Sequence, residues 1–242
     1  MELMGVDIGG TGIKGAPVDL DTGDLKADRY RIPTPKGAKP HDVAEVVQQV
    51  VAHFDTEGPV GITFPGVVMR GVVQTAANVS HEWIGFDGDT MFTKHLDRRV
   101  TMVNDADAAG IAEVRFGVGR GRKGVVIMIT LGTGIGSAVF TDGVLVPNTE
   151  LGHIEIGGKD AEHSASGSAR DNGKLSPKAY AKQLNRYLMH LDSLLWPDLI
   201  ILGGGVSKQG EEYLPHLTVR AEVALAQLRN NAGIVGAALH VS

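Results

Sequence analysis

The residues of this chain best suited to chemistry are two aspartates, two threonine–glycine turns and a short cluster of carboxylates around a histidine. Asp105, in Asn104-Asp105-Ala106-Asp107, follows an apolar run and precedes an alanine-rich one, which predicts a carboxylate where a strand hands over to a helix. A carboxylate so placed can accept a proton from an alcohol as that alcohol attacks phosphorus. Asn104 offers a donor and an acceptor to a neighbouring hydroxyl. An aspartate before a helix also serves as an N-cap, and Asp107 fits that task better, so Asp107 is assigned to structure and Asp105 to chemistry. In Asp7-Ile8-Gly9-Gly10-Thr11-Gly12-Ile13-Lys14, a glycine turn after a strand leaves backbone N–H groups unshielded. Gly10 and Thr11 can cradle phosphate oxygens, Lys14 can pair with phosphate, and Asp7 can hold Mg²⁺ through water. Thr133 and Gly134 repeat the turn in Gly132-Thr133-Gly134-Ile135. Glu150 and His153, followed by Glu155 and Glu162, bring groups that bind vicinal hydroxyls.

Three competing chemistries fail on spelling. Gly10 and Gly15 have the spacing of a P-loop, but Ala16-Pro17 stands where Lys-Ser/Thr is required. Residues 119–124 spell G-x-G-x-x-G ahead of a strand, whereas a dinucleotide fingerprint follows a strand and opens a helix. What remains there is a basic loop of Arg115, Arg120, Arg122 and Lys123, either a solvated turn or a docking strip for a polyanionic donor. His153-Ile154-Glu155 begins like a deaminase zinc signature, but the chain has no cysteine and no H-E-x-x-H, so no zinc is expected.

The elements that must position these groups read as alternating strands and helices. Strands are predicted over 3–8, 13–18, 60–64, 100–103, 125–131, 137–141 and 199–202. A third extended run reaches Ile32, and a hairpin covers 67–75. A helix capped by Asp42 carries Val43, Val46, Val47, Val50, Val51 and Phe54 at helical spacing, a second runs from about 108 to 116, a third covers 176–195, and helical segments close the chain after Gly203-Gly204-Gly205. The letters Gly-Thr-Gly-Ile occur at 10–13 and 132–135, each after an apolar strand, which predicts duplication of a β–Gly–β unit and two similar α/β lobes facing a cleft. Boundaries of 1–106 and 107–242 follow, with residues from about 231 onward expected to pack back on the first lobe.

Composition narrows the classes. The chain has 242 residues, 43% hydrophobic and 21% charged, with 33 glycines and only 10 prolines, which excludes a disordered or low-complexity protein. A net charge of −5 argues against a nucleic-acid or anionic-membrane partner. Absent cysteines, an absent leader pattern and the lack of a long apolar run predict a cytoplasmic protein.

Residues 7–15, 104–110, 131–138, 150–153, 202–207 and 232–238 together resemble the ROK family of sugar kinases and repressors, within the hexokinase/actin-like superfamily. Residues 63–68, 75–79 with Trp83, 147–150 and 196–199 look like its actinobacterial polyphosphate glucokinases, some of which also use ATP. The resemblance implies a two-lobed hexokinase/actin-like (ribonuclease H-like) α/β fold and phosphoryl transfer to the 6-hydroxyl of glucose. It implies Asp105 as base, and Asn104, Glu150, His153, Glu162 and Gly66 as sugar ligands. On the donor side it implies Gly10, Thr11, Lys14, Thr133, Gly134 and Gly204, with Arg120, Arg122 and Lys123 for a long anion. Mg²⁺, polyphosphate or ATP as donor, and a homodimer are implied as well. Typical members carry a cysteine-rich zinc motif before the glutamate matched by Glu162; here 157–161 replace it. Family repressors carry a DNA-binding segment, for which a first strand opening near Leu3 leaves no room. The alternatives are a strictly ATP-dependent glucokinase or glucomannokinase, a sugar sensor without transfer, and an actin-like assembly protein.

Overall fold

The computed structural model describes residues 1–242, which form two compact units, Met1–Ala112 with Asn231–Ser242, and Glu113–Asn230. In chain order the elements begin β1 (Glu2–Ile8), β2 (Ile13–Asp19), β3 (Tyr30–Ile32), α1 (Pro40–Ala52), β4 (Val60–Phe64), β5 (Val68–Met69), β6 (Val72–Val73), α2 (Gly88–Leu96), β7 (Val100–Asn104) and α3 (Asp105–Phe116). They continue β8 (Val125–Leu131), β9 (Ile135–Thr141), β10 (Val144–Val146), α4 (Glu162–Ala165), α5 (Gly167–Asn172), α6 (Pro177–Leu195), β11 (Leu199–Gly203), α7 (Gly210–Tyr213), β12 (Glu222–Leu225) and α8 (Ala232–Val241).

Each unit is built on a five-stranded sheet of one plan, β3-β2-β1-β4-β7 in the first and β10-β9-β8-β11-β12 in the second. In both, an antiparallel meander of three strands is extended by two parallel strands. The four repeated letters therefore mark a repeat of whole sheets. The two hairpins close differently: Ile8 pairs with Ile13 across residues 9–12, whereas Leu131 pairs with Ile135 across 132–134, one residue fewer. Ile13 and Ile135 open the return strands and are both buried.

Helices bury one apolar face against these sheets. Of the apolar residues at helical spacing, Val43, Val47, Val50 and Val51 of α1 are buried, whereas Val46 and, beyond the helix end, Phe54 are half-buried. The helix starts at Pro40 rather than after Asp42, with Lys39 as N-cap and no side-chain cap, because proline's fixed φ and missing N–H suit the first turn. Ser176 caps α6 through the Ala179 N–H at 3.3 Å. Besides β10, α4 and α5, two elements escape the sequence reading. The first is α2, capped by Asp87 through the Thr90 N–H at 2.9 Å. The second is β12, a four-residue edge strand lying in a stretch expected to be helical. Its half-buried Val223, Ala224 and Leu225 carry no strand alternation; pairing with β11 makes it a strand. No helix is long and apolar enough to cross a membrane.

In the first unit α8 lies directly on β1 and β4, backbone on backbone. A Cβ built on Gly61 would meet the Ala237 carbonyl oxygen at 1.8 Å, and one on Gly5 would meet that of Ile234 at 2.0 Å. Neither neighbour is a flexible side chain that can step aside. Gly61→Ala is expected to lower the unfolding free energy by about 1–3 kcal/mol or more in urea titrations. Gly205→Ala, with nothing within 4 Å of its added methyl, is the control. Equal stability of the two variants would refute the close-packing account.

Candidate functional site

At the end of β1 the Asp7 carboxylate is held from two sides. Thr63 Oγ1 donates to Oδ1 at 2.7 Å, and Lys14 Nζ lies 2.9 Å from Oδ2. Both ion-pair partners are largely buried, with 18% of the Asp7 side chain and 26% of the Lys14 side chain exposed. The following turn is closed by the Gly9 N–H donating to the Gly12 carbonyl at 3.1 Å, with Gly10 and Thr11 at its exposed tip. A carboxylate whose oxygens each accept a single partner keeps lone pairs for the water shell of a hard cation, so Asp7 fits outer-sphere Mg²⁺. Lys14 occupies the same charge and competes with that cation.

Asp105 is the first residue of α3 and is exposed; its Oδ1 accepts the Ala106 N–H at 2.8 Å. The cap of this helix is Asn104 rather than Asp107. Asn104 Oδ1 accepts from the N–H groups of Ala106 at 2.9 Å and Asp107 at 3.0 Å, which satisfies two N–H groups that the first turn otherwise leaves orphaned. Its Nδ2 donates to the Gly66 carbonyl at 3.1 Å. The acceptor that the sequence reading offered to a ligand is thus spent on the backbone, and the second Nδ2 hydrogen is what Asn104 has to give. Asp107 is buried.

In the second unit Glu162 opens α4 and lies under the turn at 132–134. Its Oε2 accepts the Ile135 N–H at 3.2 Å, and a Cβ on Gly134 would come within 2.4 Å of the same atom, so a side chain there would push this carboxylate aside. Thr133 is exposed at the tip of this turn, and Gly204 lies against the backbone of Leu131 at its start. Buried Ser137 fixes the loop bearing Glu150: its Oγ donates to the Thr149 carbonyl at 2.6 Å and accepts the Leu151 N–H at 2.9 Å. His153 Nδ1 is 2.9 Å from Asp160 Oδ2, and its Nε2 is 3.8 Å from Glu150 Oε2. The hydrogen bond to Asp160 raises the His153 pKa, helped by the charges of Glu162 and Glu150; burial pushes the Glu150 carboxyl upward. His153, Asp160 and Glu162 bring one ligand atom each within 4.8 Å of one another. His153 Nδ1 is bonded to Asp160, and Glu162 is bonded separately to the turn.

The basic loop is not uniform. Arg122 makes a fork with Glu222 on β12, at 2.9 and 2.6 Å, and Arg115 stacks over Phe116. Arg120 and Lys123 are exposed and make no ion pair. Thr63, Ser137 and Asp160 are the positioning groups that sequence reasoning missed. Each meets its partner through strand register or a loop crossing, and no spacing signals it.

These features match known proteins along almost the whole chain. Residues 3–174 fit the profile described as the ROK family. Polyphosphate glucokinase of Mycobacterium tuberculosis is 49% identical over 236 residues, covering 97% of this chain and 89% of that protein. The inorganic polyphosphate/ATP-glucomannokinase of Arthrobacter sp. strain KM superposes with a TM-score of 0.95 at 53% identity, covering 99% and 98% of the two chains. A ROK family glucokinase from Streptomyces griseus in complex with glucose and AMPPNP superposes with a TM-score of 0.86 at 26% identity, covering 100% and 99%. With paired sheets of one plan, glycine turns after the first strand of each and a profile match over most of its length, this chain belongs to the ROK family.

Proposed function

We propose that the protein is a glucose kinase that takes its phosphoryl group from inorganic polyphosphate, with ATP as a second donor, and yields glucose 6-phosphate. The observation that carries this reading is the near-complete likeness, at about half identity, to two enzymes named for polyphosphate. The geometry supports it group by group. The sugar 6-hydroxyl attacks the terminal phosphorus while its proton passes to the Asp105 carboxylate. The new O–P bond forms in line with the breaking bond, whose electrons leave with the shortened phosphate chain. Backbone N–H groups at Gly10–Thr11 and Thr133–Gly134 hold phosphate oxygens, mainly by position and fixed dipoles. Lys14 adds charge there, and Gly204 supports the second turn. Asp7 would hold Mg²⁺ through water, and the ion would supply further neutralisation of the donor.

Glu150 and His153 take sugar hydroxyls; Asn104 contributes through its remaining Nδ2 hydrogen and Gly66 by placing that amide. Glu162 joins them through the carboxylate oxygen not bonded to Ile135. Arg120 and Lys123 guide the long anion, with Arg122 restrained by Glu222.

Formation of glucose 6-phosphate with Mg²⁺ tests the reading, with long-chain polyphosphate and ATP as separate donors. Polyphosphate is expected to serve at least as well as ATP, and transfer from ATP alone would leave the sugar chemistry but remove the polyphosphate assignment. Asp105→Ala is expected to cut turnover by about 10²–10⁴-fold with little change in glucose KM. Retention of more than about a tenth of the turnover would remove Asp105 as the base. For His153, Asp160→Asn is expected to lower the imidazole pKa, read directly by NMR titration. Because pairing raises that pKa in the folded state, its stabilisation is complete below the ordinary imidazole value and lost as pH rises through the elevated one. The Tm deficit of Asp160→Asn should accordingly be larger at about pH 5.5 than at about pH 9.

A further inference from the structure

One transverse row of the first sheet collects charge at the end where β1 turns into β2. The registers set Arg31 beside Lys14, Lys14 beside Asp7 and Asp7 beside Thr63, so the four project from one face in that order. Thr63 and Lys14 both engage Asp7. Arg31, on β3, has no acidic partner. Its Nη2 donates to the Thr11 carbonyl at 2.6 Å, and its guanidinium lies so close over Gly12 that a Cβ there would fall 2.4 Å from Cζ, Nε and Nη2. An exposed arginine is thereby fixed beside the N–H groups of the first phosphate turn.

The bond to Thr11 holds the turn, but it gives no reason for the charge gathered in this row. Like charges directly opposite on neighbouring strands repel, and here one carboxylate faces two cations. An anion arriving at the turn would remove the imbalance. A guanidinium has five N–H donors in a rigid fork, and the tie to Thr11 uses one while orienting the rest.

We propose that Arg31 binds the phosphate next to the one transferred. The Gly10–Thr11 turn, Lys14 and Arg31 then form consecutive subsites for a condensed phosphate chain. The inference rests on the kinase reading above and deepens its donor side. The other role open to Arg31 is a structural clasp on the turn, and Arg31→Gln separates the two, since glutamine can still donate to the Thr11 carbonyl but carries no charge.

The experiment measures steady-state kinetics with long-chain polyphosphate, ATP and glucose, together with calorimetric binding of tripolyphosphate to the glucose-free enzyme, for wild type, Arg31→Gln, Arg31→Lys and Arg31→Ala. Polyphosphate KM and tripolyphosphate Kd are expected to rise about tenfold in Arg31→Gln and Arg31→Ala and less in Arg31→Lys, which keeps charge but not the fork. Glucose KM should not move. A parallel rise in ATP KM also fits, because ATP carries the same neighbouring phosphate. Full recovery of polyphosphate KM in Arg31→Gln, or unchanged tripolyphosphate affinity in all three variants, overturns the proposal and leaves the kinase reading intact. A wild type that neither binds tripolyphosphate nor uses polyphosphate removes both.

Discussion

The carboxylate of Asp7 is the fixed point of the first unit. A partly buried charge is best accommodated when paired and hydrogen-bonded, and Thr63 and Lys14 meet that demand from the strands on either side. Satisfying it couples β1 to its hairpin partner β2 and to the more distant β4, so the register of β2 and β4 on β1 is set by polar chemistry as well as by apolar burial. The same constraint fixes where Gly10 and Thr11 stand, because the turn begins two residues beyond the anchored aspartate.

The second unit repeats the backbone and changes the chemistry. Thr130 and Gly136 face each other where Asp7 and Lys14 do in the first hairpin, so the ion pair has no counterpart. A carboxylate returns from elsewhere in the chain: Glu162, at the start of α4, bonds the Ile135 N–H beneath the turn. Two turns of nearly one spelling are thus charged differently, one carrying a lysine and a magnesium-compatible acid, the other braced by a glutamate. That asymmetry suits the proposed reaction, in which one of the two turns would also manage a cation.

Division of labour within short motifs follows similar logic. In Asn104-Asp105 the first side chain is consumed by capping α3 and by its bond to Gly66, which leaves the second exposed on a rigid strand-to-helix junction. The proton acceptor proposed there gains from such rigidity, because positioning is a large share of what a kinase supplies. In Glu150-Leu151-Gly152-His153 the scaffold is Ser137 on one side and Asp160 on the other. Asp160 selects which imidazole nitrogen faces away and holds the ring charged to higher pH.

Local and contiguous features were legible in the sequence alone: the glycine turns, the apolar strands β4 and β8, the long helix α6, the strand-to-helix position of Asp105 and the duplication betrayed by four letters. These depend on backbone sterics and on the period of apolar residues along one segment. Tertiary structure decided the rest. It made Glu222–Leu225 a strand by offering β11 as a partner, started α1 at Pro40, gave the cap of α3 to Asn104, tied Arg122 to Glu222 and brought Asp160, Thr63 and Arg31 to their partners. Those outcomes are matters of register between segments distant along the chain. A residue's spacing to its sequence neighbours carries the period of its own element, but not which atom of another strand will lie opposite it.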